Sequence, residues 1–214
     1  MKTEQLIHDL ALDLTAAPPA RGGWPLGTRL LLAVLLAALP VLTIVWFGLS
    51  PSPHLAHGPT ATIEFTVVAG LVLAAGAFWT ATVLGRPDGD ARAGWLALPA
   101  VVMLIGIAAE LIVWPRATWS ERLFGEDPLA CFSVVALLSL PILMAALLAL
   151  RQGAPTRPRF AGAMAGLLAG GTTAALYTLH CPEDSLLFVV AWHIPAVALI
   201  AALGAALAGR VLRW

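Results

Sequence analysis

Charge and cysteine are both scarce in this chain. Only 11% of its 214 residues are charged and 60% are hydrophobic, whereas about 25% of the residues in a soluble domain are charged. The formal net charge is zero, so no overall positive charge points to nucleic acid as a direct partner. Two cysteines are too few for a disulfide scaffold or a four-cysteine zinc site. An integral membrane protein is the class that this composition leaves.

Sequence motifs of common enzyme classes are missing as well. The chain has no C-x-x-C pair, Walker A loop, G-x-S-x-G elbow or H-E-x-x-H zinc motif. We therefore expect neither catalysis nor a resident cofactor. Transient binding of a thiophilic metal, acting as a signal, is compatible with the two cysteines.

Six apolar runs are each long enough to cross a hydrocarbon core of about 30 Å. They predict an all-α integral membrane protein with six transmembrane helices, preceded by a short cytoplasmic amphipathic helix. Residues 1–28 form the predicted partner-binding tail and linker, and residues 29–214 form the membrane domain. The predicted spans are about 30–49, 61–84, 95–114, 129–150, 160–179 and 186–208.

Cationic residues fall almost entirely in alternate loops. The loops on one side contain only Arg116 and Arg122. The other side carries Lys2, Arg21, Arg29, Arg86, Arg92, Arg151, Arg157, Arg159, Arg210 and Arg213. By the positive-inside rule, both termini are predicted to be cytoplasmic. Cys131 and Cys181 are then both predicted to lie at the outer side of the membrane.

An apolar stripe marks the N-terminal tail as a short helix. The stripe consists of Leu6, Ile7, Leu10 and Leu14, and Asp9 and Asp13 lie off it. So short a helix is marginally stable alone and needs a surface that buries its leucines. A protein partner with an apolar groove and a basic rim fits best, because the anionic inner leaflet would repel the acidic residues. Packing on the membrane domain and apposition to the bilayer remain alternatives.

The two cysteines suggest a site on the outer side, where disulfides can form. They could respond to an oxidant, or bind a thiophilic metal together with His180, His54, His57 or a carboxylate. A constitutive disulfide and two unrelated buried cysteines are the alternatives. His193, inside the last span, is interpreted as a core histidine rather than a ligand.

Two glutamates are predicted inside the membrane spans. Glu64 lies early in the second span and Glu110 late in the third. Carboxylates in a membrane are costly and mark functional sites by default. They support an alternative function, a small ion-coupled transporter, although substrate sites of such proteins cluster near the midplane. Span five carries a separate feature, a stripe of Gly162, Gly166 and Gly170 that favours close helix packing within the chain over a dimer interface.

The whole chain resembles the NrsF family of bacterial inner-membrane anti-sigma factors. The resemblance rests on the tail MKTEQLIHDLALDL, the six spans and HCPEDS at 180–185, followed by Phe188 and Trp192. Both cysteines belong to the family pattern and match as Cys131 and Cys181. One departure is His193, which stands where the family usually has an aromatic residue.

The resemblance implies a function in transcription regulation. Proteins of this family hold extracytoplasmic-function sigma factors inactive at the membrane. The tail stripe and its two aspartates would then bind the sigma factor. A redox or metal stress signal at Cys131, Cys181 and His180 would release it.

Overall fold

The computed structural model describes residues 3–5, 7, 24–48, 60–86, 94 and 97–212. This part of the chain is helical and contains no strand. We number the helices in chain order. They are α1 Leu26–Thr43, continued by a π-helical turn Ile44–Gly48; α2 Ala61–Leu84; α3 Ala97–Val113; α4 Trp119–Phe124, after a 3-10 turn Arg116–Thr118; α5 Pro128–Leu150; α6 Pro158–Thr178; and α7 Leu186–Val211, which includes a π-helical turn Val189–His193.

Five helices are long and apolar enough to cross a membrane: α1 with its π-helical turn, α2, α5, α6 and α7. Their ends lie within a few residues of those predicted from the sequence. The third predicted span differs, because α3 has only 17 residues and the chain bends by 117° before α4. Pro115 explains where α3 ends, since a proline disfavours helical backbone in the residue before it. A sixth span results only if α3 and α4 are taken together.

Helix α6 lies at the centre of the bundle and is the most buried of the long helices. It packs against α2, α5 and α7, while α1 packs on α5 and α3 packs on α2. The glycine stripe of α6 provides the close approach to α7. A methyl group on Gly162 or Gly166 would collide with the backbone of α7 at Gly204 and at Ile200. The stripe therefore packs within the chain, as the sequence favoured.

Large apolar side chains are exposed on the outside of the bundle. Leu36 of α1, Leu104 of α3 and Leu137 of α5 are each more than 60% exposed. A water-facing surface seldom carries so many large apolar groups together, whereas lipid accommodates them. The exposed surface thus agrees with the helix lengths in suggesting a membrane protein.

The bundle has two chemically different ends. The first, which we call the arginine end, brings the start of α1 to the loops after α2 and α5: Arg29 donates to Gln152 at 2.9 Å, and the Ala154 N–H donates to the Gly85 carbonyl at 3.1 Å. The second, which we call the cysteine end, contains α4, the start of α5 and the loop 179–185. Both cysteines lie at this second end.

Candidate functional site

The two cysteines of the chain meet at the cysteine end. Their sulphur atoms are 3.6 Å apart, and both cysteines are free thiols. Each residue is only 3% exposed. The two residues, which were predicted to lie at the same side of the membrane, are therefore in direct contact across fifty positions of the chain.

Local sequence places each cysteine where it is. Asp127 caps α5 by accepting a hydrogen bond from the Ala130 N–H at 3.2 Å, so Cys131 falls in the first turn of that helix. The Cys181 N–H donates to the Tyr177 carbonyl at 3.0 Å. That bond folds the chain into a turn directly after α6 and points Cys181 back at the bundle.

His193 completes the cluster. One ring nitrogen of His193 and the two cysteine sulphurs all lie within 4.8 Å of one another, and the histidine is 1% exposed. His193 ends the π-helical turn of α7. Pro195 accounts for this turn, because it cannot donate to the carbonyl four residues earlier and its ring would collide with it. The wider turn sets the direction of the imidazole.

The surroundings of His193 are aromatic and apolar. Its ring centroid lies 5.9 Å from that of Tyr177 and 6.2 Å from that of Phe188. Neither ring nitrogen has a hydrogen-bond partner among the described residues. On another side, His193 and Thr66 line an apolar cavity of about 230 Å³ between α2, α3, α6 and α7. Buried polar atoms without hydrogen-bond partners are rare in native proteins, so each one requires an explanation.

Tyr177 and Cys181 both interact with Cys131. The Tyr177 hydroxyl is 3.4 Å from the Cys131 sulphur. The hydrogen bond with Cys131 and the burial of the side chain both raise the pKa of the Cys181 thiol above its ordinary value. Cys181 is therefore held as a thiol at neutral pH, and an oxidant or a metal must displace its proton.

His180 takes a different place from the one that the sequence suggested. Although it precedes Cys181 directly, its ring faces the Trp46 ring, with centroids 6.3 Å apart. The described residues that gather around the sulphurs include His193 instead. Adjacent residues in a turn point their side chains in different directions, so proximity in sequence did not identify the third member. The available signal was a histidine two residues before a proline, within an apolar helix.

Glu110 forms a second polar cluster at the same end. Its carboxylate accepts hydrogen bonds from Arg122 Nε at 2.8 Å and Ser185 Oγ at 2.7 Å. It also accepts from the N–H groups of Leu186 at 2.6 Å and Leu187 at 3.2 Å. Glu110 thus fixes the N-terminus of α7, where a helix has free N–H groups and favours negative charge. We call this arrangement the Glu110 anchor.

Further contacts hold the 180–185 loop. Arg122 donates to the Asp184 carbonyl at 2.9 Å, and Thr60 donates to the Asp184 carboxylate at 2.8 Å. The Glu126 N–H donates to the Glu183 carboxylate at 2.6 Å. The loop that carries Cys181 is therefore tied to α2, to α4 and to the segment before α5. Movement of Cys181 must strain several of these contacts.

The remaining predicted site residues do not join either cluster. Glu64 lies exposed in the first turn of α2. In the tail, Thr3, Glu4, Gln5 and Ile7 are helical and exposed, in agreement with a helix there. Leu6, Asp9, Leu10, Asp13 and Leu14 lie outside the described residues, as do His54 and His57.

The cysteine cluster permits two kinds of chemistry. Oxidation would join the sulphurs in a disulfide, which requires them to approach to about 2.05 Å. A thiophilic metal could instead bind the thiolates together with a neutral imidazole. Either event would link the start of α5 to the loop between α6 and α7.

Comparison with known proteins identifies the family. Residues 10–214 match the family model described as NrsF, negative regulator of sigma F. The chain is 36% identical to a probable anti-sigma-F factor NrsF from Azospira oryzae and 33% identical to the anti-sigma-F factor NrsF from Caulobacter vibrioides. Both alignments cover 100% of this chain and of the relative. No solved structure matches the chain.

The match confirms the resemblance that the sequence motifs suggested. Family members are regulatory proteins, so the expectation that the chain is not an enzyme is also confirmed. With a model match over residues 10–214 and two full-length relatives above 30% identity, this chain belongs to the NrsF family.

Proposed function

We propose that this protein is an anti-sigma factor of a bacterial inner membrane. It binds a sigma factor of the extracytoplasmic-function class and keeps it from transcription. It releases the sigma factor when an oxidant or a metal reaches Cys131 and Cys181. The observation that carries the proposal is the full-length similarity to two proteins named anti-sigma-F factors.

The N-terminal tail is the proposed binding element. Ile7 supports this role, because an isoleucine that is 62% exposed on a helix lacks the partner surface that would bury it. The stripe continues in the sequence through Leu10 and Leu14. Asp9 and Asp13 would pair with basic residues at the rim of the sigma-factor groove.

The distribution of arginine supports a cytoplasmic arginine end. Among the described residues of the loops and helix ends, only Arg116 and Arg122 belong to the cysteine end. The arginine end carries Arg29, Arg86, Arg151, Arg157, Arg159 and Arg210. By the positive-inside rule the cysteine end faces the periplasm, and both termini, including the tail, are cytoplasmic.

The cysteine cluster is the proposed receiver of the signal. It joins α5 to the loop between α6 and α7. These three helices extend from the cysteine end to the arginine end. A disulfide would draw these elements together, whereas a bound metal would fix the two sulphurs near their present separation of 3.6 Å. Either event would favour one of two arrangements of the bundle. Release then requires that the sigma factor prefers the other arrangement. A difference of about 3 kcal/mol changes its affinity roughly a hundredfold.

An ion-coupled transporter, the alternative from the sequence, has weaker support. Four groups of the protein already donate to the Glu110 carboxylate. These four donors occupy the carboxylate oxygens, so little of the carboxylate is left free to bind a transported ion. Glu64 is exposed at a helix start. Neither glutamate thus offers a shielded midplane site.

A pull-down with a matched deletion tests the proposal. The tagged full-length chain and a variant without residues 1–20 are extracted from host membranes in mild detergent, and captured proteins are identified by mass spectrometry. We expect a sigma factor with the full chain and none with the deletion. Absence of a sigma factor from both samples would contradict the proposal and direct attention to flux measurements on Glu64→Gln and Glu110→Gln variants.

A further inference from the structure

We propose that Cys131, Cys181 and His193 form a binding site for a thiophilic divalent cation such as Zn²⁺, with His193 as the third protein ligand. The inference deepens the proposed function and rests on it for its biological consequence. Binding itself is a property of the membrane domain. It can be measured on the purified protein without a sigma factor.

The distance between the two sulphurs fits a shared metal ion. With metal–sulphur bonds of about 2.3 Å, two thiolates on one tetrahedral ion lie about 3.8 Å apart. The observed separation is 3.6 Å. One ring nitrogen of His193 is within 4.8 Å of both sulphurs. A sulphur and a nitrogen on one tetrahedral ion lie about 3.5 Å apart, so the nitrogen must approach each sulphur by about 1.3 Å at most. A small rotation of the side chain supplies that movement.

His193 distinguishes this proposal from a simple dithiol. A disulfide would account for the contact between Cys131 and Cys181 but would leave both imidazole nitrogens unpartnered among the described residues. Buried polar groups are normally hydrogen-bonded or bound to a metal. Ligation by one nitrogen gives the buried imidazole a partner. The aromatic rings of Tyr177 and Phe188 hold the imidazole near the sulphurs.

Charge balance selects the ion. Two thiolates and a neutral imidazole carry two negative charges, so a divalent ion gives a neutral complex and a monovalent ion leaves a buried negative charge. The neighbourhood is apolar, and an uncompensated charge there is costly. Hard divalent cations such as Mg²⁺ and Ca²⁺ prefer oxygen ligands. A thiophilic divalent ion is the class that satisfies both conditions.

The binding reaction is an exchange of protons for metal. One divalent ion binds to two thiol sulphurs and one imidazole nitrogen, the two S–H bonds break, and two protons leave to solvent. No electron is transferred, so no oxidant is needed. The Tyr177 hydroxyl, 3.4 Å from the Cys131 sulphur, is placed to donate a hydrogen bond to the bound thiolate.

The site is tested with Co²⁺ as a coloured probe. The purified full-length protein, fully reduced and in detergent under anaerobic conditions, is titrated with Co²⁺. We expect one ion per chain, sulphur-to-cobalt charge-transfer absorption, the intense visible bands of a tetrahedral ion, and displacement by Zn²⁺. In weak buffer, each Zn²⁺ should release about two protons.

Variants identify the third ligand. His193→Phe keeps an aromatic ring but removes the nitrogen, and we expect it to weaken Co²⁺ binding at least tenfold and to change the visible spectrum. His180→Phe is the matched control and should bind like the wild type, because its ring faces Trp46. Cys131→Ser and Cys181→Ser should lose the charge-transfer band. Should His193→Phe fail to give a monodisperse protein, His193→Asn serves the same purpose.

The outcomes separate the site from the proposed function. Lack of stoichiometric Co²⁺ and Zn²⁺ binding by folded wild-type protein would overturn the site. Wild-type affinity and spectrum in the folded His193 variant would overturn His193 as a ligand. Metal binding by a protein that captures no sigma factor would leave the site intact and contradict the anti-sigma function. Capture of a sigma factor by a protein that binds no metal would support that function and overturn the site.

Discussion

Arg122 donates to Glu110 at 2.8 Å and thereby ties the short helix α4 to the end of α3. The side chain of Glu110 is 6% exposed, and that of Arg122 is 19% exposed. The same carboxylate holds the first N–H groups of α7. The ion pair therefore joins three elements at the cysteine end, next to the loop that carries Cys181.

Neutralising Glu110 should destabilise the membrane domain. Removing one partner of a buried ion pair costs about 3 kcal/mol, because the other charge stays behind without compensation. We expect Glu110→Gln to lower the melting temperature of the detergent-solubilised protein by several degrees. Glu64→Gln is the matched control, since Glu64 is exposed, and should melt like the wild type. Equal melting temperatures for all three proteins would show that the Glu110 anchor contributes little.

The packing of α6 on α7 gives a second prediction about stability. A Cβ atom on Gly166 would meet the backbone of α7 at Ile200, which cannot move aside as a side chain does. We expect Gly166→Ala to cost about 1–3 kcal/mol, read as a lower melting temperature. A Cβ atom on Gly27 in α1 would make only ordinary contact with Thr82 at 3.6 Å. Gly27→Ala should therefore leave stability unchanged or raise it, because alanine favours helix.

Helix positions and the cysteine contact follow from rules that operate on the sequence. The hydrocarbon thickness sets the length of an apolar run, so the ends of α2 and α5 were predicted within a residue. The end of α3 was also predicted within a residue, but the 117° bend between α3 and α4 was not. The two cysteines could be placed at one end by counting spans, since each lies beside a span end.

His193 and Glu110 show what the sequence did not reveal. The direction of the His193 ring depends on a π-helical turn, which local sequence does not announce beyond Pro195. The partners of Glu110 lie up to 77 residues away in the chain. Its role as an anchor therefore depends on the tertiary arrangement of α3, α4 and α7, and hydropathy alone suggested a transport residue instead.

Replacing the cysteines tests whether they receive the signal. We expect Cys131→Ser and Cys181→Ser to abolish the response of a sigma-dependent reporter to diamide and to Zn²⁺, or to lock it on or off, while the protein still reaches the membrane. Thr178→Ser, a conservative change near the same loop that keeps the hydroxyl, is the control and should respond normally. A normal response in the double cysteine variant would refute sensing through this pair.

The raised pKa of Cys181 predicts slow alkylation that depends on Cys131. Only the thiolate reacts, and a raised pKa reduces the thiolate fraction at any given pH. The hydrogen bond with Cys131 is the largest cause of the shift, followed by burial. Cys131→Ala should lower the pKa of Cys181 toward its ordinary value. Iodoacetamide should then label Cys181 faster at pH 8 than in the wild type, as measured by mass spectrometry of the cysteine-containing peptides.

Ile7 provides the sharpest test of the tail. Its side chain is 62% exposed, so Ile7→Asp should not change the melting temperature of the membrane domain. If the stripe fills an apolar groove of the sigma factor, losing one anchor costs about 2 kcal/mol and weakens binding roughly thirtyfold. Binding is measured between the detergent-solubilised protein and the sigma factor identified by pull-down. Gln5→Asp adds the same charge off the stripe and should bind within a few-fold of the wild type. Equal loss in both variants would mean that charge repulsion, and not burial of the stripe, governs the contact.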